Sequence, residues 1–500
     1  MKRQPISAGR RRQIGAAVAL VLAAGAVGCA HVTPDRSIAS SVSPAPAIPW
    51  VPAADAKSPQ ESYQKKLEIP QEYLVPGTTL TLPQLVDVAL RNNPQTREAW
   101  HFARAAAAQV GSKRAEYFPV IELDGSVTRE KAVAPDGQST FLQTSYGPGG
   151  LFTWLLFDFG GRAGDVAEAQ AALYAADWGH NAAIQDVVLS VAQAYYAYLN
   201  AKALVVARRT NVEEAGRNLE AADERHRAGV ATIADVLQAK TVLSQNELNL
   251  QEAEGQVKVI RGALATAVGV PASVPVDVGE LPEDLPLDRV QKSVDELITG
   301  AMTERPDLAA RRFEAEAARE HIRSVRADGL PQLVAGGSIN RTFYVNTNGP
   351  SYLDTWSGTI LLRVPLFSGF EKVYNTRRAQ EEAEQARATA EKAQDQVTLE
   401  VWTSYYDVQT AAQRVRTSRD LLASASQSAD VAQGRYKEGV GSILDLLTAQ
   451  ALFADARAQE VEARSLWFLA MAQLAHATGA LLPRAAEITN PARKESGGVP

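Results

Sequence analysis

Residue types that commonly carry chemistry are sparse in this chain of 500 residues. It contains one Cys and six His. A single Cys excludes a disulfide framework and any Cys-based zinc or iron–sulfur site. The Gly-rich stretches at Gly147 and Gly160 lack the Lys-Ser/Thr pair that a phosphate loop requires. The sequence therefore predicts no enzyme, metal ion or nucleotide site, and any energy must come from a partner. The histidines show no metal spacing and no partner acids, so we expect most on solvated helix faces: His31, His101, His180, His226, His321 and His476.

Charge and hydropathy exclude two further classes. The chain has 51 Lys+Arg against 57 Asp+Glu, a net charge of −6 with both signs mixed, which gives no reason to expect nucleic acid as a partner. The only long uncharged apolar stretch, residues 14–30, lies at the start, so the sequence does not encode a polytopic helical membrane protein.

The N-terminus has the pattern of an export signal. Five positive charges precede an apolar run that ends at Gly28, which predicts a signal peptide over residues 1–28. The following Cys29 resembles the lipid-attachment position of a bacterial lipobox, although Ala26 stands where Leu is usual. That resemblance implies a covalent lipid, including palmitate, on Cys29, and Ala30 in place of Asp favours the outer membrane. The alternative is an ordinary signal peptide cut near Gly28 with an incidental Cys.

Two copies of one motif contain the most informative polar residues. Residues 225–240 read RHRAGVATIADVLQAK and residues 435–450 read RYKEGVGSILDLLTAQ, with seven identities in sixteen at an offset of 210. Gly followed by Thr or Ser predicts the end of one helix and the start of the next. Asp235 and Asp445 lie at the third helical position, where a carboxylate completes a capping box. The turn residues of interest are Gly229, Val230, Thr232, Gly439, Val440, Gly441 and Ser442.

The elements that position these motifs are also duplicated. Tyr195-Tyr196 recurs at Tyr405-Tyr406 at the same offset of 210, while Pro119 and Pro331 differ by 212. We therefore predict a tandem duplication of one unit, with two residues absorbed in a loop between Pro119 and Phe157.

Proline placement predicts long helices. Residues 149–270 and 366–482 contain no Pro, and Pro inside a helix costs ~3 kcal/mol. The long helices should run from about Arg162 to Ala228 and from about Glu371 to Glu438. Apolar residues at spacings of 4, 4, 3 and 7 recur in both, from Val187 and from Val397, which is typical of a coiled-coil seam. We expect helices of 37 residues after the motifs, and helical stretches of 25 residues at 94–118 and 306–330.

Period-2 alternation predicts the remaining elements. Residues 121–127 and 356–364 alternate apolar and polar side chains, and two further strands are expected near 151–157 and 333–345. Gly147 to Gly150 and Asn346 to Pro350 are predicted as the hairpin turns. Four strands cannot close a barrel, so we expect several chains to pool their strands, and a trimer would give twelve.

These features together resemble the TolC family of outer-membrane efflux factors, in particular its lipidated branch. The resemblance covers about residues 70–483 and is strongest in the two motifs with their 210-residue spacing. It implies a mainly α fold with β strands: a homotrimeric, 12-stranded β-barrel in the outer membrane, continued by a coiled-coil helical barrel through the periplasm. It further implies an exit duct that meets a periplasmic adaptor and an inner-membrane pump.

The resemblance also assigns roles to the motif residues. The turns would contact the adaptor, since capping explains Gly and Thr or Ser but not the two exposed valines, Val230 and Val440. Asp445, and less strongly Asp235, would gate the periplasmic entrance, although capping alone also explains both. The family pattern has a second acid and an Arg near this gate where the present chain has Thr448 and Gly441, so the chain departs from the pattern there.

An alternative function is a periplasmic adaptor or tethering lipoprotein, which also uses long helical hairpins. An adaptor should have one central hairpin with soluble β-domains, whereas this sequence predicts two hairpins and two strand pairs. The expected division of the chain is a signal peptide at 1–28, a lipid-anchored Pro-rich tether at 29–70, a first repeat at 71–269, an equatorial linker at 270–305, a second repeat at 306–483 and a tail at 484–500.

Overall fold

The computed structural model describes residues 73, 78–133, 140–288, 290–345 and 351–481. They all belong to the second of two compact units of the chain, Leu67–Pro500. The expected signal peptide, the tether with Cys29, the Asn346 to Pro350 turn and the tail at 484–500 lie outside the described residues.

The described residues form eight helices and four strands. In chain order these are α1 (Leu82–Asn92), α2 (Pro94–Ala115), β1 (Val120–Val133), β2 (Thr140–Phe157), α3 (Gly161–Arg227), α4 (Ile233–Ala267), α5 (Val294–Glu304), α6 (Pro306–Ala327), β3 (Gln332–Val345), β4 (Tyr352–Arg363), α7 (Glu371–Lys437) and α8 (Ile443–Ala477). A bilayer-spanning helix, which needs about 20 apolar residues, is not found among the helices described.

The helix lengths repeat between the two halves of the chain. Helices α2 and α6 each have 22 residues, α3 and α7 each have 67, and α4 and α8 each have 35. The prediction of two long helices is confirmed, with ends within one residue of those expected. Helices α1 and α5 were not predicted; each has 11 residues and begins with a capping box, at Thr81 and Ser293.

The four strands form one antiparallel sheet in the order β1-β2-β3-β4. Val120 pairs with Thr153 in the first hairpin, and Gln332 pairs with Arg363 in the second. Val120 and its equivalent Gln332 are 212 residues apart in sequence, whereas Thr153 and its equivalent Arg363 are 210 apart. The two-residue difference therefore falls in the connections between the strands, within the predicted interval.

The Gly147 to Gly150 segment is not a hairpin turn, and that prediction was wrong. It lies inside β2, where Pro148 pairs with Gly125 of β1. A Cβ on Gly147 would lie 1.8 Å from the backbone oxygen of Arg341, so only Gly permits β3 to approach this closely. The glycines that suggested a turn instead mark a close strand contact.

The main core lies where α1 and the segment after α4 pack against α3. Leu85, Val191, Leu264 and Val278 are completely buried there. Lys202 on α3 fixes the segment by donating to the Asp277 carboxylate at 2.8 Å and to the Val278 carbonyl at 2.7 Å. The coiled-coil seam is confirmed, since Val187 and Val191 are buried, as are their equivalents Val397 and Val401.

A buried arginine holds the corner between β2 and α3. Arg162 donates to the backbone oxygens of Leu155 at 2.7 Å and Glu116 at 3.2 Å, and to the Asp158 carboxylate at 3.2 Å. Its guanidinium also lies 4.7 Å from the centre of the Tyr117 ring. The equivalent position of the second repeat is Lys372, so this corner differs between the repeats.

Candidate functional site: the tips of the helical hairpins

The first tip joins α3 to α4 through a turn that requires glycine. Gly229 has φ of 75°, a conformation that costs other L-residues about 1–2 kcal/mol. The Val230 amide donates to the Arg225 carbonyl and the Gly229 amide to the His226 carbonyl, both at 2.9 Å. These two bonds form a Schellman motif, and the predicted helix end at this glycine is confirmed.

The second tip joins α7 to α8 in the same way. Gly439 also has φ of 75°, and the amides of Val440 and Gly441 both donate to the Arg435 carbonyl at 3.0 Å. A Cβ on Gly441 would lie 3.1–3.2 Å from Arg435 and Tyr436, so the turn is tightly packed at this glycine.

Both acids of the motifs complete capping boxes. The Thr232 amide donates to Asp235 Oδ2 at 2.8 Å, and the Asp235 amide donates to Thr232 Oγ1 at 3.3 Å. At the second tip the Ser442 amide donates to Asp445 Oδ2 at 3.4 Å, and the Asp445 amide to Ser442 Oγ at 3.1 Å. Each carboxylate therefore satisfies its own helix N-terminus while remaining at the tip.

The tips also expose apolar side chains. Val230 is 66% exposed and Val440 is 69% exposed. Ile233 and Leu444, in the first turns of α4 and α8, are exposed as well. Helix capping does not require an apolar residue at these places, so capping alone does not explain the exposed valines.

The two tips contact each other through Arg225 and Tyr436, a pair that the sequence analysis missed. Arg225 Nη1 donates to the Tyr436 carbonyl at 2.8 Å, and the guanidinium lies 4.7 Å from the centre of the Tyr436 ring. Burial raises the pKa of the Tyr436 phenol; the Arg225 charge opposes this shift, and the charge of Asp235 adds to it. The carboxylate of the first tip thus acts electrostatically on a side chain of the second. Both residues lie in the two quoted motifs. The only sequence signal for their contact is that His226 of the first copy stands where the second copy has Tyr436.

Polar side chains continue this contact away from the tips, between α3 and α8. The Asn218 and Gln450 side-chain amides are hydrogen bonded to each other, and Arg457 donates to Asn211 Oδ1 at 2.8 Å and to Glu214 Oε1 at 3.3 Å. Asn211 and Asn218 are buried. The contact between the two hairpins is therefore largely polar here, whereas alanine, isoleucine and leucine pack near the tips.

Two histidines have carboxylate partners, contrary to the prediction. His321 Nδ1 lies 2.8 Å from Glu168 Oε2, and His476 Nε2 lies 2.9 Å from Asp186 Oδ1. The partners are 153 and 290 residues away in sequence, so only the packing of α3 against α6 and α8 brings them together. Among the described residues, no group of His, Cys, Asp and Glu could hold a metal ion.

The architecture and the tip motifs correspond to one known family. The family model described as outer membrane efflux protein matches residues 85–270 and 297–480. The chain belongs to this family. Its two matched segments correspond to the two structural repeats, and the family consists of channel proteins. Membership decides between the two functions expected from the sequence in favour of an outer-membrane efflux channel over a periplasmic adaptor.

Individual relatives agree with this assignment. The chain is 28% identical to the protein CyaE of Bordetella pertussis, over 82% of this chain and 84% of that protein. It is 27% identical to the outer membrane protein OprJ of Pseudomonas aeruginosa, with 74% and 78% covered. It is 25% identical to the outer membrane protein TolC of Salmonella enteritidis, with 80% and 82% covered.

Solved structures show the same fold. The outer membrane protein VceC of Vibrio cholerae superposes with a TM-score of 0.71 at 22% identity, over 80% of this chain and 96% of that one. The outer-membrane channel OprN gives a TM-score of 0.73 at 21% identity, over 80% and 90%. The predicted fold class, mainly helical with four strands per chain, is confirmed.

Proposed function

We propose that three copies of this chain form the outer-membrane exit duct of a tripartite export system. The observation that carries this proposal is the four-stranded sheet, in which β1 and β4 each pair with a strand on one side only among the described residues. An open edge is not tolerated in hydrocarbon, so the strands of several chains must join. Eight strands fill their own interior with side chains, whereas twelve leave a lumen.

The two faces of the sheet support the same assembly. Cross-strand partners share a face, and one row across all four strands is apolar except for its glycine: Leu123, Gly150, Ile339 and Trp356. The adjacent row on the opposite face is polar apart from a glycine: Asp124, Gly149, Asn340 and Thr355. Leu123 is 89% exposed and Trp356 is 82% exposed, as expected for side chains in contact with lipid.

Purification from isolated outer membranes tests the duct. We expect a trimer by native mass measurement and stepwise conductance after insertion into planar lipid bilayers. A monomer recovered from the soluble periplasmic fraction, with no conductance, would contradict the proposal.

We propose that the tips bind a periplasmic adaptor, which connects the duct to an energy-supplying inner-membrane pump. The exposed Val230 and Val440 support this role. The double change of both valines to Asp should abolish export of the pump's substrates while trimer formation and conductance persist. Val259→Asp, at an equally exposed valine near the far end of α4, is the matched control. Unimpaired export by the double variant would refute the contact.

We propose that Asp445, with Asp235, favours cations at the periplasmic entrance and helps to hold it closed. A capping role and a gating role are separable because Ser442 shares the cap but carries no charge. Asp445→Ala should increase conductance and reduce block by divalent cations, whereas Ser442→Ala should not change the block. Equal effects of both variants would leave Asp445 as a cap only, and the parallel test at Asp235 uses Thr232→Ala.

We propose that Cys29 carries the lipid anchor, on the basis of the lipobox-like sequence before it. Labelling with a palmitate analogue should mark the wild-type chain and not Cys29→Ser. If the two label equally, Cys29 is not the site of attachment.

A further inference from the structure

The charged side chains of β1 are sorted between the two faces of the sheet. Alternate residues of a strand point to opposite faces. The basic residues of β1, Arg129 and Lys131, therefore lie on the apolar face together with Leu123. Its acids all lie on the polar face: Glu122, Asp124 and Glu130. In the proposed duct the apolar face contacts lipid, so the two cations point toward the membrane.

Two rows of large side chains limit the apolar face. The row nearer the helices contains Phe157, Leu333 and Leu362. The row at the other end, here called the aromatic belt, contains Val127, Tyr146, Phe343 and Tyr352. The centre of the Phe343 ring lies 5.3 Å from that of Tyr146 and 6.1 Å from that of Tyr352. Aromatic rows of this kind occur where a barrel meets the lipid headgroups.

The separation of the two rows matches a bilayer. Leu333 and Phe343 are ten residues apart on β3, which is about 33 Å along a strand that rises ~3.3 Å per residue. A strand tilt of about 40° converts this length to about 25 Å of height, the height of the apolar band of an outer-membrane barrel. The aromatic belt therefore lies at the hydrocarbon boundary on the side away from the helices.

Arg129 and Lys131 lie beyond this boundary. They follow Val127 of the aromatic belt by two and four residues along β1. The same rise and tilt place them about 5 and 10 Å above the belt, at the level of the headgroups. Both side chains are exposed, and their cross-strand partners, Thr144 and Leu142, are uncharged.

The other basic residue on this face is neutralised within the sheet. Arg341 lies one row below the aromatic belt, donates to both carboxylate oxygens of Asp354 at 2.7 and 2.8 Å, and lies 5.3 Å from the centre of the Tyr352 ring. An unpaired charge in hydrocarbon is costly, which explains this pairing. Arg129 and Lys131 have no ion-pair partner in the described part of the sheet. Their charges are therefore available to an external anion.

We propose that Arg129 and Lys131 bind the phosphate groups of the glycolipid that forms the outer leaflet of a bacterial outer membrane. The inference rests on the proposed duct, in which the helices extend into the periplasm and the opposite end of the sheet reaches the outer leaflet. The headgroup of this glycolipid, lipid A, is a diglucosamine with phosphates directly above its acyl chains. Guanidinium and ammonium groups both donate charge-assisted hydrogen bonds to phosphate oxygens. Inner-leaflet phospholipids lie at the helix end of the sheet, away from both cations.

Lipid binding to the full-length trimer tests the site. The probe is purified lipid A, titrated into delipidated trimer in detergent. Arg129→Gln with Lys131→Gln should bind it roughly 25-fold more weakly than the wild type, since each basic residue near an anionic surface contributes about fivefold. The matched control, Arg363→Gln, removes an exposed arginine from the polar face and should bind like the wild type. Equal binding by the wild type and the double variant would overturn the proposal.

Two further measurements use the unchanged protein and so do not depend on the folding of a variant. Lipid A without its phosphates should bind the wild type about as weakly as intact lipid A binds the double variant. Phosphatidylglycerol, which has one phosphate and no sugar, should compete poorly with lipid A. Equal binding of the dephosphorylated form, or equal competition by phosphatidylglycerol, would overturn the proposal.

The same preparation separates this inference from the proposed function. A conducting trimer that binds no lipid A would overturn the lipid site and leave the duct intact. A chain that forms no trimer and conducts no ions would contradict the duct, and the lipid site with it.

Discussion

Replacement of Arg225 by Ala should loosen the contact between the two hairpin tips of one chain. Its guanidinium donates to the Tyr436 carbonyl at 2.8 Å and lies 4.7 Å from the ring centre. A hydrogen bond from a charged group contributes about 1.5–3 kcal/mol, and a partly exposed cation–π contact about 0.5–1 kcal/mol. Because Arg225 is only half-buried, we assign about 2 kcal/mol to the hydrogen bond and the cation–π contact together. Loss of this stabilisation shifts a closed–open equilibrium at the tips roughly 30-fold toward the open state.

Hydrogen exchange and conductance measure this shift. In Arg225→Ala, backbone amides of residues 432–446 should exchange faster, and single channels in planar bilayers should spend more time open. The matched control is Arg435→Ala, 210 residues further on, whose side chain is exposed and has no ion pair among the described residues. Arg225→Lys should give exchange rates and open times between those of Arg225→Ala and Arg435→Ala, because an ammonium keeps the charge but lacks the planar surface that stacks on the ring.

Two results would refute this reasoning. If Arg225→Ala exchanges and conducts like the wild type, the contact does not hold the tips together. If Arg435→Ala opens the channel equally, the effect comes from the loss of positive charge at the tip and not from the contact with Tyr436.

Three further changes test the rest of the structure. Gly439→Ala should destabilise the protein by about 1–2 kcal/mol because of the positive φ of Gly439. Gly434→Ala, inside α7, should instead stabilise it by about 0.5–1 kcal/mol. Thermal melts compare the two variants, and equal effects would exclude backbone strain at the tip. Burial disfavours the Asp277 carboxylate, but Lys202 and the Val278 amide outweigh burial and lower the pKa of Asp277 below its usual value. Asp277→Asn should therefore lower the melting temperature at neutral pH, and the difference should disappear as the pH falls through that depressed pKa; a difference independent of pH would contradict the assignment. Arg162→Met should cost about 3–5 kcal/mol because it removes the counter-ion of the buried Asp158 carboxylate. Lys372→Met, its equivalent in the second repeat, should have little effect in the same denaturation assay.

Most of the fold could be predicted from the sequence because its signals are local. The absence of Pro and the regular spacing of apolar residues predicted α3 and α7 to within one residue of their observed ends. Short helices such as α5 were missed, since 11 residues provide too few periods and their stability comes from packing. The Gly147 to Gly150 error has the same origin: glycine indicates a special backbone environment, but the sequence does not say whether that environment is a turn or a close neighbouring strand.

The candidate site was predicted in part. The caps at Thr232 and Ser442 involve residues three positions apart, so the motif alone specified them. The contact of Arg225 with Tyr436 joins residues 211 positions apart, and no local pattern distinguishes this arginine from Arg435. Likewise His321 meets Glu168 only because α3 and α6 pack in one particular register.

The sequence by itself determined the long helices, the duplication and the turns at the tips, because helix propensity, capping and the periodicity of apolar residues act within a few residues. Only the tertiary structure decided how the equivalent residues of the two repeats differ. Arg225 contacts the other hairpin while Arg435 is exposed, and α6 is covered while α2 is open. The physical reason is that a duplicated sequence has equivalent local preferences, but the two copies occupy different positions in one chain and so have different neighbours.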